Sequence, residues 1–184
     1  LFSGGVSGRL IDAIKNTFLI ALVAATVSTL LGTVAAIGIN DLRYRKRRAI
    51  NFVNNIPILN PDIITGISLF LLFVSIGITQ GYTTVILAHI AFCTPYVVLS
   101  IMPRLTQMNP NIYEAALDLG CTPIQAFFKV KLPNIMPGVI SGMVLAFTMS
   151  LDDFIISYFV GPTNFQTLPL LIYSMTKKTV KPDM

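Results

Sequence analysis

Long segments without charge constrain this sequence more than any other feature. No charged residue occurs between residues 17 and 39, and further apolar runs cover residues 50–78, 82–102 and 135–160. Each run is long enough for an α-helix to cross ~30 Å of hydrocarbon at ~1.5 Å per residue. A transmembrane barrel would need alternating polar and apolar residues, and no such alternation occurs here. The pattern predicts an all-α bundle of membrane-spanning helices.

The composition also favours an integral membrane protein. Of the 184 residues, 54% are hydrophobic and 11% are charged, whereas soluble domains carry about 25% charged residues. The net charge of +5 does not indicate nucleic-acid binding, because the basic residues are concentrated in one short loop. Cys93 falls in a predicted span and Cys121 in a polar segment, so neither a disulfide nor a metal site is expected.

A cluster of basic residues directly after the first span sets the predicted orientation. The positive-inside rule places such a loop in the cytoplasm. The spans then alternate in direction, which brings the polar segment 109–133 to the cytoplasmic side as well. Binding of anionic lipid is a possible additional role of the cluster. Its members are Arg43, Arg45, Lys46, Arg47 and Arg48.

Small residues at intervals of four predict the packing faces of two spans. In lipid, such residues let helix backbones approach closely. The first span carries the larger set and the fourth span a shorter one. The residues are Ala24, Ser28, Gly32 and Ala36 in the first span, and Gly142 and Ala146 in the fourth.

The second apolar run is interrupted by Pro57 and then by Asn60-Pro61-Asp62. Proline removes a backbone donor and kinks a helix, so we expect a break here and a restart with Asn60 as the cap. Non-helical backbone at membrane depth is tolerated only where it is buried in protein or lines a water-filled cavity. Asp62 is therefore either a charge that complements the helix dipole or part of a cation path.

Two adjacent carboxylates, Asp152 and Asp153, lie in the fourth run, which is predicted to be one helix. A charge at the membrane centre costs ~2.5–3.5 kcal/mol, so both are expected to face the protein interior or water. Intramembrane acids are candidates for a functional site, and a hydrogen-bonded packing pair is the alternative. His89 has no acid near it in the sequence. It is predicted to hydrogen-bond to a neighbouring helix, with a proton relay as the alternative.

The polar segment 109–133 predicts two short helices joined by a hinge. Asn109 suits the N-cap of the first helix and Pro110 its first position. Gly120 supplies a left-handed C-cap, a conformation that other residues adopt at a cost.

The second helix of this hairpin is predicted to begin at Thr122 and Pro123 and to end at Leu132-Pro133. A helix–Gly–helix unit also resembles a DNA-binding motif. However, the hairpin carries few basic residues and lies between two spans, which argues against contact with nucleic acid.

The hairpin resembles the EAA loop of binding-protein-dependent ABC importer permeases. The resemblance rests on Glu114-Ala115-Ala116, on Gly120, and on Val130-Lys131-Leu132-Pro133, with Val130 where the family usually has Ile. It implies the fold of a type I importer permease, whose loop docks on a cytoplasmic ATPase. The residues it implies for this coupling are Glu114, Ala115, Ala116, Gly120, Phe127, Leu132 and Pro133.

Within these permeases, the spermidine/putrescine branch is the most similar. The shared residues are Pro61-Asp62-Ile63, Leu87-Ala88-His89-Ile90 and the run 147–153. The resemblance implies a polyamine importer, with Asp62, Asp152 and Asp153 along the substrate path. Such permeases have six spans. We therefore expect residues 1–184 to be one transmembrane domain, a fragment that holds spans two to five.

The resemblance further implies a bacterial inner-membrane location and three kinds of protein partner. These are a cytoplasmic ATPase dimer, a second permease subunit and an external substrate-binding protein, in addition to membrane lipid. The chain has no glycine-rich phosphate loop, so ATP and Mg²⁺ are expected on the ATPase and no cofactor in this chain. It also has no recognisable catalytic set, so no enzyme activity is expected. The alternatives are a permease for ferric ion, phosphonate or thiamine, and an ion-coupled secondary transporter.

Overall fold

All the secondary structure in the described part of the chain is helical, which confirms the all-α prediction. The structure is a computed structural model that describes residues 3–59, 62–162 and 165–179. The helices are α1 (Ser3–Asn40), α2 (Tyr44–Leu59), α3 (Asp62–Ile76), α4 (Tyr82–Gln107), α5 (Pro110–Asp118), α6 (Pro123–Ala126), a π-helical turn (Phe127–Lys131), α7 (Leu132–Asp152), α8 (Ile155–Val160) and α9 (Leu168–Thr179).

Three helices form the central bundle, with α1, α4 and α7 packed against one another. The segments Gly8–Asn40, Tyr82–Gln107 and Pro123–Asp152 are long and apolar enough to cross a membrane. A fourth span is possible if α2 and α3, whose axes differ by 104°, are counted as one broken span. With that pair counted, the described residues hold the four predicted spans.

The small residues of α1 and α7 form packing faces, as predicted. Ala24, Ser28 and Ala36 are completely buried. A Cβ atom on Gly32 would lie 2.7 Å from Val97 Cγ1 of α4, and one on Gly142 would lie 3.3 Å from the same atom. Val97 therefore packs directly on the backbones of α1 and α7, which explains why both sites require a small residue.

The basic cluster and the hairpin lie at the same end of the bundle. Lys131, at the end of the π-helical turn, donates to both carboxylate oxygens of Asp41, at 3.1 and 3.2 Å. At the opposite end, the Asn16 side-chain amide donates to the Gln166 carbonyl at 3.2 Å. The predicted cytoplasmic orientation of the basic cluster and the hairpin requires that both lie at one end of the bundle, as they do.

The prediction that the second hairpin helix ends at Leu132-Pro133 is wrong, because the helix continues into α7. Leu132 N–H donates to the Phe127 carbonyl, five residues earlier, so a π-helical turn precedes the proline. A proline inside an α-helix clashes with the carbonyl four residues before it, and the wider π turn relieves that clash. Pro133 is the second residue of α7, directly after this turn.

The prediction of one continuous helix over residues 135–160 is also wrong. The helix stops at Asp152, and Asp153 has an extended backbone with φ −66° and ψ 122°. In the second apolar run, α2 ends at Leu59 and α3 begins at Asp62. Asn60 and Pro61, predicted to restart that helix, lie outside the described residues.

Candidate functional site

The three acids predicted for the substrate path line one cavity. Asp62 comes from the first turn of α3, Asp152 from the last turn of α7, and Asp153 from the break that follows. The cavity has a volume of about 330 Å³. Its other lining residues are Phe92, Thr148, Met149, Phe154 and Ile155. Residues that are far apart in the sequence thus create one site of concentrated negative charge in an apolar bundle.

Asp153 lies at the break between α7 and α8 and caps the N-terminus of α8. Its carboxylate accepts hydrogen bonds from Ile156 N–H at 3.2 Å and Ser157 N–H at 2.9 Å. The first N–H groups of a helix have no partner within the helix, and a carboxylate at that end satisfies them and complements the dipole. This capping favours a break over a continuous helix.

The two neighbouring acids differ in environment. The Asp153 side chain is 6% exposed and is engaged by backbone donors. Asp152 is exposed, as is Asp62 at the start of α3, where its charge also complements the helix dipole. Asp62 and Asp152 are therefore open to a cation from outside the protein, whereas Asp153 has internal partners.

His89 also contacts the site through Asp153, and this contact was not predicted from the sequence. It is buried in α4, and its Nε2 lies 3.4 Å from Asp153 Oδ2. Its Nδ1 lies 2.7 Å from Ser150 Oγ and its Nε2 lies 3.2 Å from Ser157 Oγ. The predicted hydrogen bonds to a neighbouring helix are confirmed, and an acid that is distant in the sequence, Asp153, lies beside the ring. A buried polar group in an apolar span needs hydrogen-bond partners. This requirement is the sequence signal that could have indicated polar contacts for His89.

The first hairpin helix has the predicted caps. Asn109 Oδ1 accepts from Asn111 N–H at 3.0 Å at its N-terminus. Gly120 has φ +88°, and its N–H donates to the Leu117 carbonyl at 2.9 Å. Cys121 N–H donates to the Ala116 carbonyl at 3.1 Å. These two bonds form a Schellman motif, which needs a left-handed residue at the position of Gly120.

The second hairpin helix begins at a reciprocal cap. Thr122 Oγ1 accepts from Gln125 N–H at 3.3 Å, and Gln125 Oε1 accepts from Thr122 N–H at 3.1 Å. Pro123 occupies the first turn. The hairpin is therefore locally specified on both sides of its hinge.

The residues predicted to couple to an ATPase fall into two groups. Ala116 is buried, and Phe127 and Leu132 are half-buried, so these three hold the hairpin to itself and to the bundle. The others are exposed and available to a partner. They are Glu114, Ala115, Gly120 and Pro133.

Three apolar side chains of the hairpin are exposed, and two of them, Leu119 and Ile124, were not predicted from the sequence to contact a partner. Leu119 is 87% exposed beside the hinge, and Ile124 and Phe128 are also exposed. Phe128 packs edge-on against Phe127, with ring centroids 5.2 Å apart. The hairpin thus combines a rigid backbone with an apolar surface at its tip. Leu119 and Ile124 fit the periodicity of short amphipathic helices. The sequence therefore did not distinguish them from apolar residues that pack within the hairpin.

Comparison with known proteins agrees with the fold and the hairpin. Residues 28–179 match the family described as binding-protein-dependent transport system inner membrane component. A crystal structure of an amino acid ABC transporter with histidines has a TM-score of 0.69 and 18% identity. That match covers 96% of this chain and 82% of the other, and it supports the fold.

Two curated relatives are similar over most of the chain. The putrescine transport system permease protein PotI of Escherichia coli (strain K12) is 42% identical over 182 residues, covering 95% of this chain and 65% of the relative. The spermidine/putrescine transport system permease protein PotC of Haemophilus influenzae is 39% identical over 175 residues, covering 95% and 68%. The chain thus spans about two thirds of the length of these relatives. It belongs to the family of binding-protein-dependent transport system inner membrane components, which are multi-pass transport permeases and not a family of enzymes.

Proposed function

We propose that this chain is a permease subunit of an ATP-driven importer of polyamines, with putrescine and spermidine as substrates. The observation that carries the proposal is the cavity shared by Asp62, Asp152 and Asp153. The relatives that resemble the chain over 95% of its length are named as putrescine or spermidine/putrescine permeases, which supports the same substrate class.

The chemistry of the cavity suits a linear polycation. Alkyl ammonium groups have pKa values of about 10.4, so polyamines cross the membrane as multiply charged ions. Removing such charges from water is costly unless opposite charges replace the lost hydration. The exposed carboxylates of Asp62 and Asp152 supply that replacement. An anionic substrate such as phosphonate would be repelled by the same residues.

The proposed energy source is a cytoplasmic ATPase dimer, which binds ATP and Mg²⁺. The hairpin over residues 109–133 is the proposed docking element, because its caps fix the backbone and its tip exposes Leu119 and Ile124. A second permease subunit would complete the path, and an external binding protein would deliver the substrate. An ion-coupled carrier has no use for such a docking element.

Uptake of labelled putrescine and spermidine tests the proposal. The full-length gene is expressed with its partner permease, ATPase and binding protein in cells depleted of polyamines. We expect ATP-dependent uptake that is lost in Gly120→Leu and reduced in the Asp62→Asn, Asp152→Asn double variant. Asp12→Asn serves as the control, since this exposed carboxylate lies on α1 outside the cavity.

The outcomes separate the parts of the proposal. Absence of polyamine uptake while the ATPase still co-purifies would overturn the substrate and retain the importer, and ferric ion would be the next cation to test. Purification of the permease without an ATPase, combined with uptake driven by an ion gradient, would favour a secondary transporter.

A further inference from the structure

One residue of α4, His89, contacts the helices on both sides of the break between α7 and α8. His89 of α4 contacts Ser150, in the last turn of α7, through Nδ1 at 2.7 Å. Its Nε2 contacts Ser157 of α8 at 3.2 Å. One imidazole therefore bridges the two helices whose junction carries Asp153.

The polar groups of this cluster satisfy one another. With the imidazole proton on Nε2, that nitrogen donates to Ser157 Oγ and lies 3.4 Å from Asp153 Oδ2, while Nδ1 accepts from the Ser150 hydroxyl. Asp153 Oδ2 also accepts from Ser157 N–H at 2.9 Å. His89, Ser150 and Ser157 are each at most 3% exposed, so water does not compete for these bonds.

We propose that His89 is a positioning residue that holds α7 and α8 in register across their break and thereby fixes the Asp153 carboxylate in the wall of the acidic cavity. Among the described residues, the imidazole adds to the capping bonds from Ile156 and Ser157 in orienting this carboxylate. The positioning itself follows from the geometry. Its consequence for transport, an Asp153 charge held where a passing ammonium group meets it, rests on the proposed polyamine function.

An alternative role for His89 is to join α4 to α7 as an ordinary packing contact. Cys93 provides the comparison for that role. It lies one turn further along α4, is completely buried, and its Sγ lies 3.5 Å from the Ala146 carbonyl of α7. Cys93→Ala therefore disturbs the α4–α7 interface without contacting the break.

Hydrogen–deuterium exchange at the Ile156 and Ser157 amides tests the positioning directly. It is measured on the purified full-length permease with the subunits that co-purify. In His89→Leu, we expect exchange of these two amides to rise about tenfold, the factor that corresponds to the loss of roughly one buried hydrogen bond. In Cys93→Ala, we expect it to stay within about twofold of the wild type.

His89→Gln distinguishes hydrogen bonding from volume, since its amide reaches the position of Nε2. We expect its exchange to lie closer to the wild type than that of His89→Leu. Equal exchange in the Gln and Leu variants, no rise in His89→Leu, or an equal rise in Cys93→Ala would overturn the proposal.

Putrescine transported per ATP hydrolysed in reconstituted vesicles tests the consequence for transport. We expect His89→Leu to lower this ratio, and to have no further effect in the Asp153→Asn background. An unchanged ratio alongside raised exchange would overturn the transport role. If the wild-type protein transports no putrescine while His89→Leu still raises exchange, the polyamine function fails and the positioning role stands.

Discussion

Lys131 Nζ donates to both carboxylate oxygens of Asp41, linking the end of the hairpin to the loop that follows α1. Asp41 is 60% exposed, so the pair is expected to contribute less than about 1 kcal/mol to stability. Its position matters more than its energy, because it connects the proposed docking element to a helix that is remote from it in sequence.

A charge exchange tests this link. Asp41→Lys places Lys131 opposite a like charge, and we expect uptake to fall about three- to fivefold with little change in thermal stability. The double variant Asp41→Lys, Lys131→Asp restores the opposite charges and should recover most of the uptake. Recovery no better than in the single variant would show that the pair does not link the two segments.

Substitution of Gly120 should affect coupling through the backbone alone. A Cβ atom there would have no heavy atom within 4 Å, so the cost is that of the left-handed conformation at φ +88°, about 1–2 kcal/mol for most residues. We expect Gly120→Leu to abolish uptake with normal membrane insertion, and Gly120→Asn to retain part of it. Immunoblotting of membranes and polyamine uptake measure the two effects.

Gly38→Leu is the matched control for this experiment. Gly38 also has open space around a Cβ atom, but its backbone does not have a positive φ. Uptake should be preserved in this variant. Normal uptake by a correctly inserted Gly120→Leu protein would contradict the proposed role of the hinge.

The two adjacent acids should respond differently to neutralisation. Asp153→Asn cannot accept from both backbone donors as a carboxylate does, and we expect it to destabilise the protein by about 1–3 kcal/mol and to slow uptake. Asp152→Asn should slow uptake with an unchanged melting temperature, because Asp152 is exposed. Thermal unfolding in detergent, together with uptake, gives both quantities. Equal melting temperatures for the two variants would contradict the capping role of Asp153.

The contact between Gly32 and Val97 predicts a compensating pair. A Cβ atom on Gly32 would lie 2.7 Å from Val97 Cγ1, so Gly32→Ala should destabilise the α1–α4 interface by about 1–3 kcal/mol. Val97→Ala removes Cγ1 but keeps the Val97 Cβ, which would lie 2.8 Å from the new atom. The relief is therefore partial, and the double variant should be destabilised by less than the sum of the two single effects. The melting temperature measures this, with Gly38→Ala as the control. Destabilisation in the double variant equal to the sum of the two single effects would argue against this contact.

The hairpin and the packing faces were predictable because their signals are local. Asn109 and Thr122 are residue types that cap the start of a helix, and Gly120 is one that caps the end. Each does so here. The stripe that contains Ala24 and Ser28 follows the helical repeat, so its buried face could be inferred without knowledge of the partner helix.

The break at Asp153 was not predicted because two local rules conflict there. Apolar residues on both sides favour one continuous span, whereas an aspartate is also a common N-cap. The capping bonds to Ile156 and Ser157 decide between them. The contact with His89 depends on how α4 packs against the break, which no local pattern encodes. The π-helical turn before Pro133 was missed for a related reason: proline normally terminates a helix, and the one-residue widening that accommodates it has no sequence signature.

That widened turn determines how motion can pass through the protein. Because the helix is not interrupted at Pro133, residues 123–152 form one segment that could span a membrane, ~45 Å long at ~1.5 Å per residue. Thr122 precedes one end of this segment, and Asp152 is the other end. A displacement imposed on the hairpin tip therefore reaches the acidic cavity without crossing a loop, so mechanical transmission through this chain requires no relay of side chains between its two ends.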